Sequence, residues 1–136
     1  MCETSETELL RLSRELLESI TSGDWETYAR LCDRQLSAFE PEARGQLVVG
    51  MDFHRYYFDS HQAKQSDGKL VQNTICSPVV KMLGSDVALV TYIRLIQRHD
   101  SEGSFTTRRF EETRLWQRQG GNGQEGKWKH VHFHRS

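Results

Sequence analysis

In the first third of this 136-residue chain, apolar residues recur every three to four positions; in the last third they alternate with polar ones. The first pattern belongs to helices and the second to strands, whose side chains point to opposite faces in turn. Leu9, Leu12, Leu16 and Ile20 fall on one helical stripe, widened by Leu10 and Leu17. Ser5, with Glu8 three positions on, matches a capping box and predicts the helix start; Gly23 predicts its end. Asp24 then suits the cap of a shorter helix that turns Trp25, Tyr28, Leu31 and Cys32 inward, so the two make a helical hairpin. Residues 36–40 read as a short strand stopped by Pro41. Residues 50–64 read as a third helix, rich in aromatic rings (Phe53, Tyr56, Tyr57) and carrying His54 and His61, with Asp52 in the first turn, where the helix dipole favours an anion. Residues 70–76 and 79–83 read as strand interrupted by Pro78, which predicts a bulge or a sheet edge there. Three long strands follow, Val87–His99, 104–119 and Lys127–Arg135, joined by turns at 100–103 and 120–126. Helices first and a strand meander last predict an α+β domain, with helices covering one face of a curved antiparallel sheet.

The strand Val87–His99 is apolar on both faces: Val87, Leu89, Ile93 and Leu95 on one, Val90, Tyr92 and Ile96 on the other. One helix layer covers one face. The second needs another cover, and a partner chain is the simplest source, so the pattern predicts an oligomer.

The length fits one domain, read as spanning 1–136 with no kinase domain in the chain. A formal net charge of −1 gives no support for attraction to nucleic acid or membrane over the whole surface. Cys2, Cys32 and Cys76 are odd in number and far apart, without a C-x-x-C pair; a reducing compartment, hence the cytoplasm, is the default expectation, and neither a metal nor a cofactor is expected. The 120–126 segment, with four glycines and no apolar residue, is expected to contribute nothing to the core.

Each meander strand carries an arginine in line with core positions. Arg94 shares a face with Ala88, Val90, Tyr92 and Ile96; Arg114 with Phe110, Glu112 and Trp116; Arg135 with Val131 and Phe133. Turn positions put Arg94 opposite Phe110, and Phe110 opposite His134 or Arg135. Two readings stay open. The arginines line a cationic pocket for a carboxylate or phosphate, which the planar guanidinium fork suits; or each pairs with Glu40, Glu111 or Glu112 or reaches an edge. His54 is a candidate for the pocket wall. His130, His132 and His134 alternate on one face with Trp128, and are read as a polar or interface-facing surface because no acidic or cysteine ligand stands at useful spacing for a metal. Glu40, Glu42, Glu111 and Glu112 are candidates for acid–base work. Any carboxylate among the arginines is expected to have its pKa lowered, which makes a poor base and favours binding over catalysis. No P-loop, G-x-S-x-G, H-E-x-x-H, EF-hand or kinase catalytic-loop pattern is present, and no catalytic residue is assigned.

Several stretches together resemble a known family. Gly23-Asp24-Trp25-Glu26-x-Tyr28, Ala38-Phe39-Glu40-Pro41-Glu42-Ala43, Gly50-Met51-Asp52-Phe53-His54-Arg55, Tyr92-Ile93-Arg94, Glu111-Glu112-Thr113-Arg114-x-Trp116 and Val131-His132-Phe133-His134-Arg135-Ser136 are similar to the association (hub) domain of calcium/calmodulin-dependent protein kinase type II, in the same order along almost the whole chain. The resemblance implies the cone-shaped fold of the nuclear transport factor 2-like superfamily, a long N-terminal helix wrapped by a strongly curved antiparallel sheet. It implies dimers assembled into stacked rings that hold kinase subunits together. It also implies a pocket of Arg94, Arg114, Arg135 and His54, with Tyr92 and Glu112 counted among them, that accepts a small carboxylate or a regulatory segment of the kinase. In place of a tryptophan of the animal kinases, this chain has about Gln62. Two other classes stay open: a small cone-fold enzyme, isomerase- or dehydratase-like, acting on an acidic metabolite, and a free-standing hub-like regulator.

Overall fold

The structure is a computed structural model that describes residues 3–64, 70–99, 102–120 and 126–136. Its first helix, α1 (Ser5–Ser22), is capped by Thr4, one residue before the expected Ser5: Thr4 keeps an extended backbone and its hydroxyl accepts the Thr7 N–H. Leu9, Ser13, Leu16 and Leu17 are buried along the inner stripe. Gly23 ends α1 in the left-handed region at φ 73°. A side chain is strained there, so Gly23→Ala is expected to cost about 1 kcal/mol, read as a lower denaturant midpoint at unchanged slope. Asp24 caps α2 (Trp25–Leu31), its carboxylate accepting from the Thr27 N–H and hydroxyl at 3.2 and 2.6 Å.

Strand β1 (Cys32–Phe39) begins four residues earlier than predicted and is followed by a 3-10 turn, Pro41–Ala43, and the short β2 (Val48–Val49). Then come α3 (Asp52–Lys64), β3 (Leu70–Met82), β4 (Val87–His99), β5 (Phe105–Gln119) and β6 (Lys127–Arg135). One sheet holds all six strands in the order β2-β1-β6-β5-β4-β3. Four pairs are antiparallel, but β1 and β6 run parallel, so the sheet is mixed. The expected interruption at Pro78 is a register shift between Cys76 and Val79, with Ser77 at positive φ, on the edge strand β3.

A second bulge changes the reading of β6. Leu115 pairs with His132 but Trp116 with His130, which leaves Val131 without a partner and flips the alternation. Trp128, His130 and Phe133 therefore all point inward, and the three histidines do not share a face. His132 lies on the other side, where its Nδ1 is 2.6 Å from the Ser37 hydroxyl and its ring meets Phe39. Glu112, two residues beyond the expected Phe110, stands opposite Arg135, one of those two residues being owed to the bulge, while Arg94 does face Phe110.

The core lies between helices and sheet, where Leu9, Leu16, Tyr28 and Leu36 meet Val90, Trp116 and Phe133. On β4 the even positions from Ala88 to Ile96 are buried, and the odd ones, Val87, Leu89, Thr91, Ile93 and Leu95, remain half-exposed. Leu89 there pairs with Leu115, and Thr91 with Val79, which is 58% exposed.

Candidate functional site

The inner face of the meander places Tyr92, Glu112 and Arg135 in one cross-strand row, with Val90, Arg114 and Phe133 in the next. Glu112 is the hub of the charges. Its Oε1 accepts from the Tyr92 hydroxyl at 2.6 Å and from Arg114 Nη2 at 3.0 Å, and its Oε2 accepts from Arg94 Nη1 at 3.1 Å. All four side chains are buried. Burial alone would raise the Glu112 carboxyl, but Arg114 and Arg94 overcome it and hold the group down at about 2.

Further donors find acceptors outward from this centre. Arg94 Nε donates to Asn73 Oδ1 at 2.8 Å, and the Asn73 amide reaches the Thr21 hydroxyl at the end of α1. Arg114 Nε donates to the Tyr92 oxygen at 2.7 Å, and Nη1 lies 3.2 Å from His130 Nε2. Arginine only donates, so Nε2 accepts and the His130 proton sits on Nδ1, 3.5 Å from Cys32 Sγ. Burial, and then the Arg114 charge, keep His130 neutral, and burial pushes the Cys32 thiol up to about 12.

Arg135 is held differently. Its guanidinium lies over the Phe110 ring at 5.1 Å, contacts the Glu42 carboxylate on the 3-10 turn, and stands 3.9 Å from Glu40. Glu40 follows directly on β1, and the alternation Leu36, Ala38, Glu40 aims it inward; the parallel pair Phe39–His134 sets it level with Arg135. On its other side stands His54 Nδ1 at 4.0 Å.

These groups enclose a cavity of about 100 Å³, lined by Arg94, Arg114, Arg135, His54, Glu40, Glu42, Tyr28, Tyr57, Phe58, Phe133, Ile20 and Gly23. The three arginines and His54 named from the sequence thus converge. Tyr92 and Glu112 do not line the cavity; they stand behind Arg94 and Arg114 and fix them. Each of the three arginines is both paired to a carboxylate and part of the cavity wall. Glu111 takes no part: it meets Arg109 on the exposed side at 3.4 Å. Asn73 was missed, though a polar residue between the inward Val71 and Ile75 is its signal in the sequence.

One electrostatic expectation is corrected. Glu112 is lowered as predicted, but burial pushes the Glu40 carboxyl up to about 7 against the attraction of Arg135, and the like charge of Glu42 adds to the rise. Burial, then Arg114, also hold His54 down at about 4. A carboxyl raised in the fold keeps its proton while the unfolded chain loses it, so Glu40 makes stability fall as pH rises from about 4.5 to about 7. Glu40→Gln is therefore expected to gain stability on the wild type across that window in urea titrations, with His54 acting equally in both.

Against known proteins, the model of the calcium/calmodulin dependent protein kinase II association domain matches residues 5–136. The chain belongs to this family. The delta subunit of calcium/calmodulin-dependent protein kinase type II from Oryctolagus cuniculus is 46% identical over 129 residues, 95% of the chain. Those residues make up 23% of the rabbit protein, so the chain spans about a quarter of that relative. Among solved structures, the kinase II hub homology domain of Chlamydomonas reinhardtii is 43% identical with a TM-score of 0.85, covering 98% of both chains. An NTF2-like protein from Cytophaga hutchinsonii, 17% identical over 98% of both chains, shares the fold at a TM-score of 0.74. The fold is thus the nuclear transport factor 2-like α+β fold, with its long N-terminal helix and one open six-stranded sheet.

Proposed function

We propose that this association domain is an oligomerisation module whose dimers assemble into stacked rings and so organise calcium/calmodulin-dependent kinase subunits in the cytoplasm. The observation that carries this is the outer face of β4, where Leu89, Ile93 and Leu95 are half-exposed beside Leu115 and Val79. An apolar strip of this kind is normally covered by protein. Kinship with a solved hub homology domain supports the reading. Size-exclusion chromatography with light scattering tests it: a multiple of the dimer mass is expected, and a monomer at micromolar concentration refutes it.

The cavity is the second part of the proposal. Its arginines suit a small carboxylate or an acidic segment of the kinase, the guanidinium fork giving charge-assisted hydrogen bonds of roughly 1.5–3 kcal/mol each. A free-standing regulator that joins kinase hubs shares this chemistry, and mixing with a kinase hub to look for hetero-oligomers separates the two.

An enzymatic reading has one observation in its favour, the Glu40 carboxyl raised to about 7 inside a cavity, which is where a general base works best. Against it, the phenolic hydroxyl nearest to the arginines, Tyr92, is spent on Glu112. Turnover of a small acid that vanishes in Glu40→Gln would establish an isomerase- or dehydratase-like activity.

A further inference from the structure

The charges around the cavity balance. Arg94, Arg114 and Arg135 face Glu112, Glu42 and Glu40, three cations against three anions, with His54 neutral. A site in that state carries no net charge to attract an incoming anion. Two of the carboxylates hold a guanidinium: Glu112 is clasped by two of them and by Tyr92, and Glu42 contacts Arg135 from the exposed turn. Glu40 is the exception. Its side chain is 9% exposed, and its nearest cation stands 3.9 Å away and is already engaged. Neutralising Glu40 leaves one net positive charge, the complement of one monocarboxylate.

We propose that the cavity takes up a small monocarboxylate together with one proton: the anion seats on Arg135 in competition with Glu42, and Glu40 beside it holds the proton and donates it in a hydrogen bond to the bound carboxylate.

This rests on the carboxylate-pocket reading given above and adds its regulation. Arg135 Nε is buried without a partner among the described residues, so the guanidinium has a donor to spare. Glu42 is 31% exposed on the Pro41–Ala43 turn, which ends in Arg44 at φ 52°; it can swing to water where the buried Glu112 cannot. The groups facing Glu40 are Arg135 on β6, Glu42 on the turn, Arg114 and Glu112 on β5, His54 and Tyr57 on α3 and Tyr28 on α2, with Arg94 of β4 across the cavity. The histidine is neutral well above its depressed pKa, and burial raises both tyrosines, so near neutrality Glu40 titrates where His54, Tyr28 and Tyr57 do not. An anion placed beside it disfavours its ionised form further. Linkage then sets the sign: affinity is flat with pH while Glu40 is protonated in the empty site, and falls as pH rises through its pKa.

Propionate, which fits a cavity of this size, is the probe, followed by NMR titration of the assembled protein at pH 6, 7, 8 and 8.5, with the Glu40 side-chain carbon signal recorded in the empty protein. The wild type is expected to bind about tenfold more weakly for each pH unit above about 7. Glu40→Gln is expected to bind with a pH-independent constant, and Glu40→Gln combined with Glu42→Gln to bind several-fold more tightly than Glu40→Gln alone, a comparison in which Glu40 no longer titrates. Propionate binding that does not vary with pH in the wild type, a pH slope that survives in Glu40→Gln, or a free Glu40 midpoint below 5 overturns the proton coupling and leaves the pocket standing. Binding in the double variant no tighter than in Glu40→Gln overturns the competition. No saturable shift of cavity residues in any of the three proteins removes the pocket reading itself.

Discussion

Leu89→Asp is expected to take the assembly apart while leaving the protomer folded. Leu89 is half-exposed on the outer face of β4 and stands between Lys81 on β3 and Leu115 on β5. In an isolated protomer the new carboxylate meets water and the Lys81 ammonium, so the fold tolerates it. In an interface the same charge is stripped of water against an apolar partner, at a cost of several kcal/mol. Each 1.4 kcal/mol is about a factor of ten, so the association constant is expected to drop by about a thousandfold or more per contact. Ile93 is a poorer choice, because its cross-strand neighbour is Glu111 and an aspartate there adds like-charge repulsion within the protomer. The measurement is light-scattering mass together with circular dichroism. A mass unchanged from wild type would place Leu89 on open surface and remove the main physical argument for the oligomer.

The second large effect concerns stability. Glu112→Gln leaves Arg94 and Arg114, both almost fully buried, without their shared counter-charge. Breaking a buried ion pair from one side costs about 3–5 kcal/mol, a large part of the roughly 5–15 kcal/mol that holds a domain together. A fall in melting temperature of about 10–20 °C is expected. The cause is the abandoned charge and not the lost contact, so removing both sides should restore much of the loss. Glu112→Leu combined with Arg94→Met, Arg114→Met and Tyr92→Phe is the rescue, since well-packed apolar replacements of a buried ion cluster are often neutral or better. A Glu112→Gln melting point within about 2 °C of wild type would show that the cluster is neutralised by something other than Glu112.

How far the sequence could be read depends on how local each determinant is. The three meander strands came out within a residue of their observed limits, because alternation and glycine-rich turns are written in neighbouring residues. Arg94, Arg114 and Arg135 were recoverable because a charge in register with Val90, Trp116 and Phe133 breaks a local pattern. His130 was misplaced because one extra residue, Val131, inverts the faces before it relative to Phe133 and Arg135 after it, and nothing in Lys127–Arg135 marks it as the bulge. The cap moved to Thr4 because two adjacent hydroxyl residues satisfy the same rule. Glu40 and Glu42 were visible as acids but not as members of the cavity. Their position depends on β1 lying parallel to β6, a pairing across nearly the whole chain that no short stretch encodes. The pKa of Glu40 was out of reach for the same reason, since its sign turns on how deeply that pairing buries the carboxyl.

That parallel pairing also sets an order of folding. Ser37 and His132 are 95 residues apart, whereas β3 to β5 are joined through short turns. Closing the larger loop pays its chain entropy before any contact rewards it, so β6 is expected to dock on β1 after the β3–β5 ladder has formed. Until it does, Glu40 and Glu42 have no Arg135 to face, and the cavity lacks a wall. A ligand of the cavity then meets its site only in the native state. It should leave the refolding rate unchanged and slow unfolding in proportion to its occupancy, so occupancy would govern the lifetime of the folded chain and not how fast it forms.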